Sequence, residues 1–212
     1  MHLHYVVVNF LNRRFTLIQQ LQLKTITVPE TVVTYQFVDE QQNKYEISAN
    51  PNVPALAYNK AAYLLNGDRM SYGETEYGYR FGIDVSYYQE KIDWHKVKAD
   101  GVEFAMIRLG YRGWSDGALY MDERFLENIQ GAQVAGIDVG VYFFTQAVNE
   151  TEAVEEAKYV LSALEGYELQ MPIACDVEDI DDGVGDIWQY TSSGKVDGIN
   201  GNVDLNIQMI SK

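Results

Sequence analysis

From residue 81 onward, short and nearly continuous apolar runs alternate with stretches of helical spacing, and this constrains the fold more than any other feature. The runs are RFGIDVSYY (80–88), VEFAMIRLGYR (102–112), IDVGVYFFTQ (137–146) and MPIACDVED (171–179). Strands that face solvent on one side alternate apolar and polar residues, whereas parallel strands covered on both faces read as unbroken apolar runs. The segments between them, MDERFLENIQGAQVAG (121–136) and NETEAVEEAKYVLSALEG (149–166), predict helices. In the second, Asn149 and Glu152 form a capping box, and Gly166 ends the helix. Val154, Ala157, Leu161 and Leu164 make its apolar stripe. Strand, helix, strand, helix at this spacing predicts an α/β fold built from parallel βαβ units.

The first 80 residues differ in composition. TVVTYQFVDEQQNKYEIS (31–48) predicts a β-hairpin turning at Asp39 to Lys44, NPNVP (50–54) breaks the chain, and NGDRMSYGETEYGYR (66–80) reads as a linker. The division expected is a β-rich extension with linker over 1–80 and an α/β domain over 81–212.

The formal net charge is −15 over 212 residues. Such a chain is repelled by nucleic acid phosphates and anionic lipid heads, so neither is expected as a partner. No apolar run approaches the ~20 residues that span a bilayer, so membrane insertion is not expected. YVVVNFL (5–11) is short and followed by Arg13 and Arg14, so no signal peptide is visible. The single cysteine, Cys175, excludes an intrachain disulfide and reads as a small buried hydrophobe.

The fourth strand carries two carboxylates where an apolar strand wants none. Successive side chains point to opposite faces. Ile173, Cys175 and Val177 therefore share the face expected under helices, and Ala174, Asp176 and Glu178 share the other. The first strand repeats this with Ile83 and Val85 against Gly82, Asp84 and Ser86. Read as neighbours, the two strands end with acids on their non-helical side, where parallel α/β folds collect their sites. Acids forced together cannot all ionise, which leaves a proton donor beside an anion, as needed to cleave a glycosidic bond. Ordinary ion pairs with Arg108 or lysines are the alternative. Neither EDIDDGVGD (178–186) nor DGINGNVDLN (197–206) has the full ligand spacing of a calcium loop, and no metal or other cofactor is expected. Aromatic residues surround the strand ends: Tyr87, Tyr88, Tyr111, Trp114, Tyr142, Phe143, Phe144, Trp188 and Tyr190. Such rings cover the apolar faces of sugars.

Four motifs in order, GIDVSYYQEKIDWHKVKADGVEFAMIRLGYRG (82–113), GIDVGVYFFTQAVNETEAVEEAKYVL (136–161), PIACDVED (172–179) and IWQYTSSGKVDGINGNVDLN (187–206), resemble the glycoside hydrolase family 25 lysozymes, the Chalaropsis-type muramidases. The resemblance implies a modified, TIM-like β/α barrel that hydrolyses the β-1,4 bond between N-acetylmuramic acid and N-acetylglucosamine, acting on peptidoglycan strands outside the cell or at its surface. It implies catalytic roles for Asp84, Asp176, Glu178 and Asp204. Glu178 would be the general acid, Asp176 would assist the substrate's 2-acetamido group, and Asp84 and Asp204 would position substrate and tune Glu178; direct attack by a carboxylate nucleophile is the competing mechanism. Tyr142 and Trp188 match aromatic positions of the family's groove, and Tyr88 and Tyr111 are expected beside them. The chain departs from the family in one place: only nine residues, Asp179 to Ile187, separate Glu178 from Trp188. The family holds further barrel strands there, and a closed eight-stranded barrel takes roughly 200 residues or more. The barrel is thus expected to be incomplete, either because the residues flanking 181–186 are not contiguous in the full-length protein or because the chain is this short. The rival reading of function is a non-catalytic wall-binding protein on a degraded barrel.

Overall fold

The computed structural model describes residues 5–8, 34–38, 44–48, 58–177 and 187–211. Among them, the strands that position the site are β1 (Tyr5–Val8), β6 (Tyr77–Val85), β7 (Phe104–Arg112), β8 (Leu119–Met121), β9 (Asp138–Phe144), β10 (Ile173–Asp176), β11 (Ile187–Gly194) and β12 (Val203–Ser211). Two hairpins lie earlier in the chain: β2 (Thr34–Val38) with β3 (Lys44–Ser48), and β4 (Tyr63–Asn66) with β5 (Arg69–Tyr72). The helices are α1 (Trp94–Ala99), α2 (Phe125–Val134) and α3 (Glu150–Ala163).

The four apolar runs become β6, β7, β9 and β10. They lie side by side in sequence order, each parallel to the next. Helical connections deliver them in parallel, as βαβ units require. Antiparallel strands extend the sheet at both ends, giving the order β1-β10-β9-β7-β6-β12-β11 with β8 paired to β7. This is an α/β fold with a mixed sheet. Among the described residues its end strands β1 and β11 are not paired to one another, so the sheet is open.

The two faces of the sheet differ as the alternation requires. On the outer face Ile83, Val85, Ala105, Ile107, Leu109, Val139, Val141 and Leu205 are buried with Trp94 and Val97 of α1, Phe125, Ile129 and Ala132 of α2, and Val160 of α3. Each large side chain in this core contributes roughly 1.5–3 kcal/mol by leaving water. The inner face carries a smaller cluster of Phe104, Met106, Tyr142, Met171, Ala174 and Ile187. Gly82 lets Phe104 lie flat there, since a Cβ on it would sit 2.3 Å from the Phe104 ring.

The sequence reading needs correcting at five places. First, β6 and β10 are not neighbours, because β7 and β9 lie between them. Second, the 66–80 stretch is not an unstructured linker. It holds β5 and the first residues of β6, and with β4 it packs Tyr63, Met70 and Tyr72 against Ile207 and Met209 of β12. The cross-strand pairing overrides its polar composition. Third, the buried positions of α3 are Glu156 and Val160, with Leu164 buried just after its end, while Val154 and Leu161 are exposed. Glu156 turns inward because buried Arg112 of β7 donates to it through Nε at 2.8 Å, and Thr145 Oγ1 donates to its other oxygen at 2.6 Å. Asn149 does cap this helix, accepting from Glu152 N at 3.0 Å. Fourth, Cys175 is exposed. It lies on the outer face of β10, whereas α3 packs on β7. The fifth concerns Trp188 and is described with the site.

Candidate active site

The inner face gathers acids at one end of the sheet: the C-terminal ends of β6 and β10 and the start of antiparallel β12. Asp84 and Asp204 stand directly opposite one another across the β6/β12 ladder. Facing side chains in such a pair have Cβ atoms about 4.5–5.5 Å apart, and like charges there repel. Asp84 is 2% exposed, and so is Asp176, the last residue of β10. Burial pushes the Asp84 carboxyl well above the usual carboxylate range. The Asp204 and Asp176 charges add to that shift, and a bond from Asn206 opposes it. Asp204, less enclosed, is also raised by burial. The Asp176 charge thus reaches Asp84 although two strands lie between theirs, as expected if a curved sheet brings its first and fourth parallel strands toward each other across the concave side. Tyr142 of β9 lies in the same cluster, its hydroxyl held well above its ordinary value by burial and then by the Asp84 charge.

Arg108, offered by the sequence as an ordinary partner for these acids, is committed elsewhere. Its Nε donates to Asp122 Oδ2 at 2.8 Å. Asp122 also accepts from Tyr87 N at 3.1 Å and from Arg124 N at 2.9 Å. One buried carboxylate therefore ties β7 to the turn after β6 and to the start of α2. Three tyrosines surround the guanidinium of Arg108, whose carbon lies 5.0 Å from the ring centre of Tyr87, 5.4 Å from Tyr88 and 5.5 Å from Tyr111. Tyr88 is 68% exposed. It and Tyr111 flank Arg108, the cation whose charge also lowers the Tyr142 value.

Trp188 does not join this group. It pairs with Ile207 and so points to the outer face, where its ring packs edge-on to Tyr63 at 5.3 Å and near Tyr190 at 6.1 Å. Its neighbour Ile187 takes the inner face instead. The alternation across β11 decides this: Ile187 and Gln189 face inward, so Trp188 cannot. Glu178, expected as the general acid, lies outside the described residues.

Two polar residues of the inner face were not singled out from the sequence. Asn206 of β12 is buried and donates from Nδ2 to Asp84 Oδ2 at 2.7 Å. Gln189 of β11 is buried opposite it. The signal was present in NVDLN, where period-2 alternation puts Asn206 on the same face as Asp204.

Buried carboxylates forced into proximity at the C-terminal ends of parallel strands, beside exposed aromatic rings, are the equipment of a glycoside hydrolase. Residues 83–186 match the family model for glycosyl hydrolases family 25. Among curated relatives, Lysozyme M1 of Streptomyces globisporus is 38% identical over 81 residues, covering 38% of this chain and 26% of that protein. The autolytic lysozyme of Clostridium acetobutylicum is 31% identical over 97 residues, covering 46% of this chain and 28% of that protein. The matched region thus spans about a quarter of each curated relative's length. Among solved structures, the modular autolysin LytC of Streptococcus pneumoniae, in complex with a synthetic peptidoglycan ligand, superposes with a TM-score of 0.54 at 19% identity. That match covers 82% of this chain and 56% of that one, and it supports the fold.

Proposed function

We propose that the chain is a peptidoglycan muramidase that hydrolyses the β-1,4 bond between N-acetylmuramic acid and N-acetylglucosamine. The observation that carries the reading is the buried Asp84–Asp204 pair with Asp176 in electrostatic reach, beside the match to the family 25 model. The LytC structure holds a synthetic peptidoglycan ligand, and its fold likeness makes peptidoglycan glycan strands the first substrate to test.

In this reading Glu178 is the general acid and protonates the departing glycosidic oxygen. The substrate's 2-acetamido oxygen attacks the sugar's C1 as that bond breaks, and Asp176 stabilises the charge that develops on the acetamido group. Water then opens the cyclic intermediate, returning its proton to Glu178. Asp84 and Asp204 hold one proton between them and set the field at the cluster. Tyr88 and Tyr111, packed around Arg108, offer ring faces to the sugar. Tyr142, whose hydroxyl stays protonated, donates a hydrogen bond inside the cleft. Trp188 serves the site through packing under the β4–β5 hairpin. The finer architecture we assign is a modified β/α barrel, incomplete in this chain, over residues 81–212, with residues 1–80 as an extension whose β1 and first β6 residues join the same sheet. The place of action is the cell surface or the extracellular space.

The test is clearing of a Gram-positive cell-wall suspension by the parent chain and by Glu178→Gln. The variant is expected to clear walls about 10²–10⁴-fold more slowly while still sedimenting with them. Cleavage that survives the substitution would refute the role of Glu178. A second reading, a non-catalytic wall-binding protein, draws on the open sheet, since a cleft bounded by unpaired strand edges holds its groups less firmly. A parent chain that sediments with walls and releases no new reducing ends would select that second reading.

A further inference from the structure

The Asp84–Asp204 pair is flanked by a row of buried amides that the family assignment does not use. Asn206 stands two residues after Asp204 on the same face of β12, and Gln189 lies directly opposite it on β11. Both are buried, at 0% and 1% exposure. Asn206 Nδ2 donates to Asp84 Oδ2 at 2.7 Å. Among the described residues, Asn206 Oδ1 and both amide atoms of Gln189 have no bonding partner. Packing alone favours apolar residues at such positions, because each buried polar atom left open is destabilising.

We propose that Asn206 is a positioning residue of this site: its amide fixes Oδ2 of Asp84 as an acceptor and so confines the proton shared with Asp204 to the side where the two carboxylates meet. An amide N–H can only donate, so the oxygen that it engages is kept free of a proton. Asp84 is then oriented as one half of a proton-sharing pair and does not turn its hydroxyl toward β11. The importance of this for hydrolysis rests on the muramidase reading, but the effect on the acids does not. The charged and titratable groups that face Asp84 are Asp204 from β12, Asp176 from β10, Tyr142 from β9 and, through Tyr142, Arg108 from β7. Asn206 adds a neutral donor to this set, through Nδ2 to Asp84 Oδ2.

The experiment is a carboxyl-carbon NMR titration of the full chain carrying Asn206→Leu or Asn206→Asp, beside a pH profile of cell-wall clearing. Asn206→Leu removes the donor on the same branched skeleton, and Asn206→Asp keeps the shape while adding a like charge. Both should move the upper midpoint of the Asp84–Asp204 pair to higher pH by about one to two units, the equivalent of one hydrogen bond to a charged acceptor. The acid limb of clearing should move with it. Should Asn206→Leu fail to fold, Asn206→Ala carries the test, since it removes the donor without adding a charge. A midpoint that moves in a chain showing no clearing at any pH upholds the role of Asn206 and rejects the muramidase reading. Midpoints unchanged in every folded variant overturn the proposal, whatever the clearing activity.

Discussion

Replacing Asp84 by asparagine should stabilise the protein at neutral pH and remove much of the pH dependence of its stability. Burial and the facing Asp204 charge hold the Asp84 carboxyl well above its ordinary value in the fold, while in the unfolded chain it titrates near 3.9. The folded state therefore binds the proton more tightly than the unfolded state does. Its contribution to stability is complete below the unfolded value and is lost as pH rises through the folded one. Over that window each pH unit costs about 1.4 kcal/mol per proton, or roughly 3–6 °C of Tm for a chain of this size. Asparagine has the shape of the protonated acid. Its oxygen still accepts from Asn206 Nδ2, and its amide donates toward Asp204, so the local bonds survive without the charge. Acids nearer the surface such as Asp116 and Glu152, held low by hydrogen bonds from Tyr120 and from the Val148 backbone respectively, tilt the parent curve the other way. They are common to both proteins and cancel in the difference. Thermal unfolding of parent and variant from pH 4 to pH 8 reads this directly: the Tm gap should be small at pH 4 and widen with pH in favour of the variant. Parallel curves, or a variant less stable at pH 7, would show that Asp84 is not held protonated by its surroundings.

Two further substitutions test the packing that holds the site. Arg112→Met strands the buried Glu156 carboxylate, which should destabilise the fold by about 3–5 kcal/mol; a double variant that also carries Glu156→Leu should recover most of the lost Tm, and failure to recover would mean that the pair does more than neutralise itself. Gly82→Ala drives a methyl against the Phe104 ring at 2.3 Å and should cost about 1–3 kcal/mol in denaturant unfolding, less when combined with Phe104→Leu, because the two residues touch.

The parallel core was legible because its signal is local. Four apolar runs with intervening helical spacing can form few other folds, and β6, β7, β9 and β10 lie where they were read. The same alternation told correctly that Asp84 and Asp176 point away from the helices. It could not tell that β7 and β9 separate them, since strand order is a property of crossovers. Nor could it show that the nearest acid to Asp84 arrives from β12, about 120 residues along, by direct antiparallel register. Trp188 was misplaced because a family motif names a residue without its parity, and one residue of strand shifts a side chain to the opposite face. Glu156 was passed over for a similar reason: a helical stripe counts apolar positions, whereas an ion pair 44 residues away can turn a carboxylate inward. In each case what was missed is a pairing between distant segments, and pairings of this kind set the charge at the acid cluster. The identities of the acids can be read along the chain. Their protonation follows from the strands that face them, so Asn206, two residues from a recognised aspartate, came into view only once β12 was laid against β6.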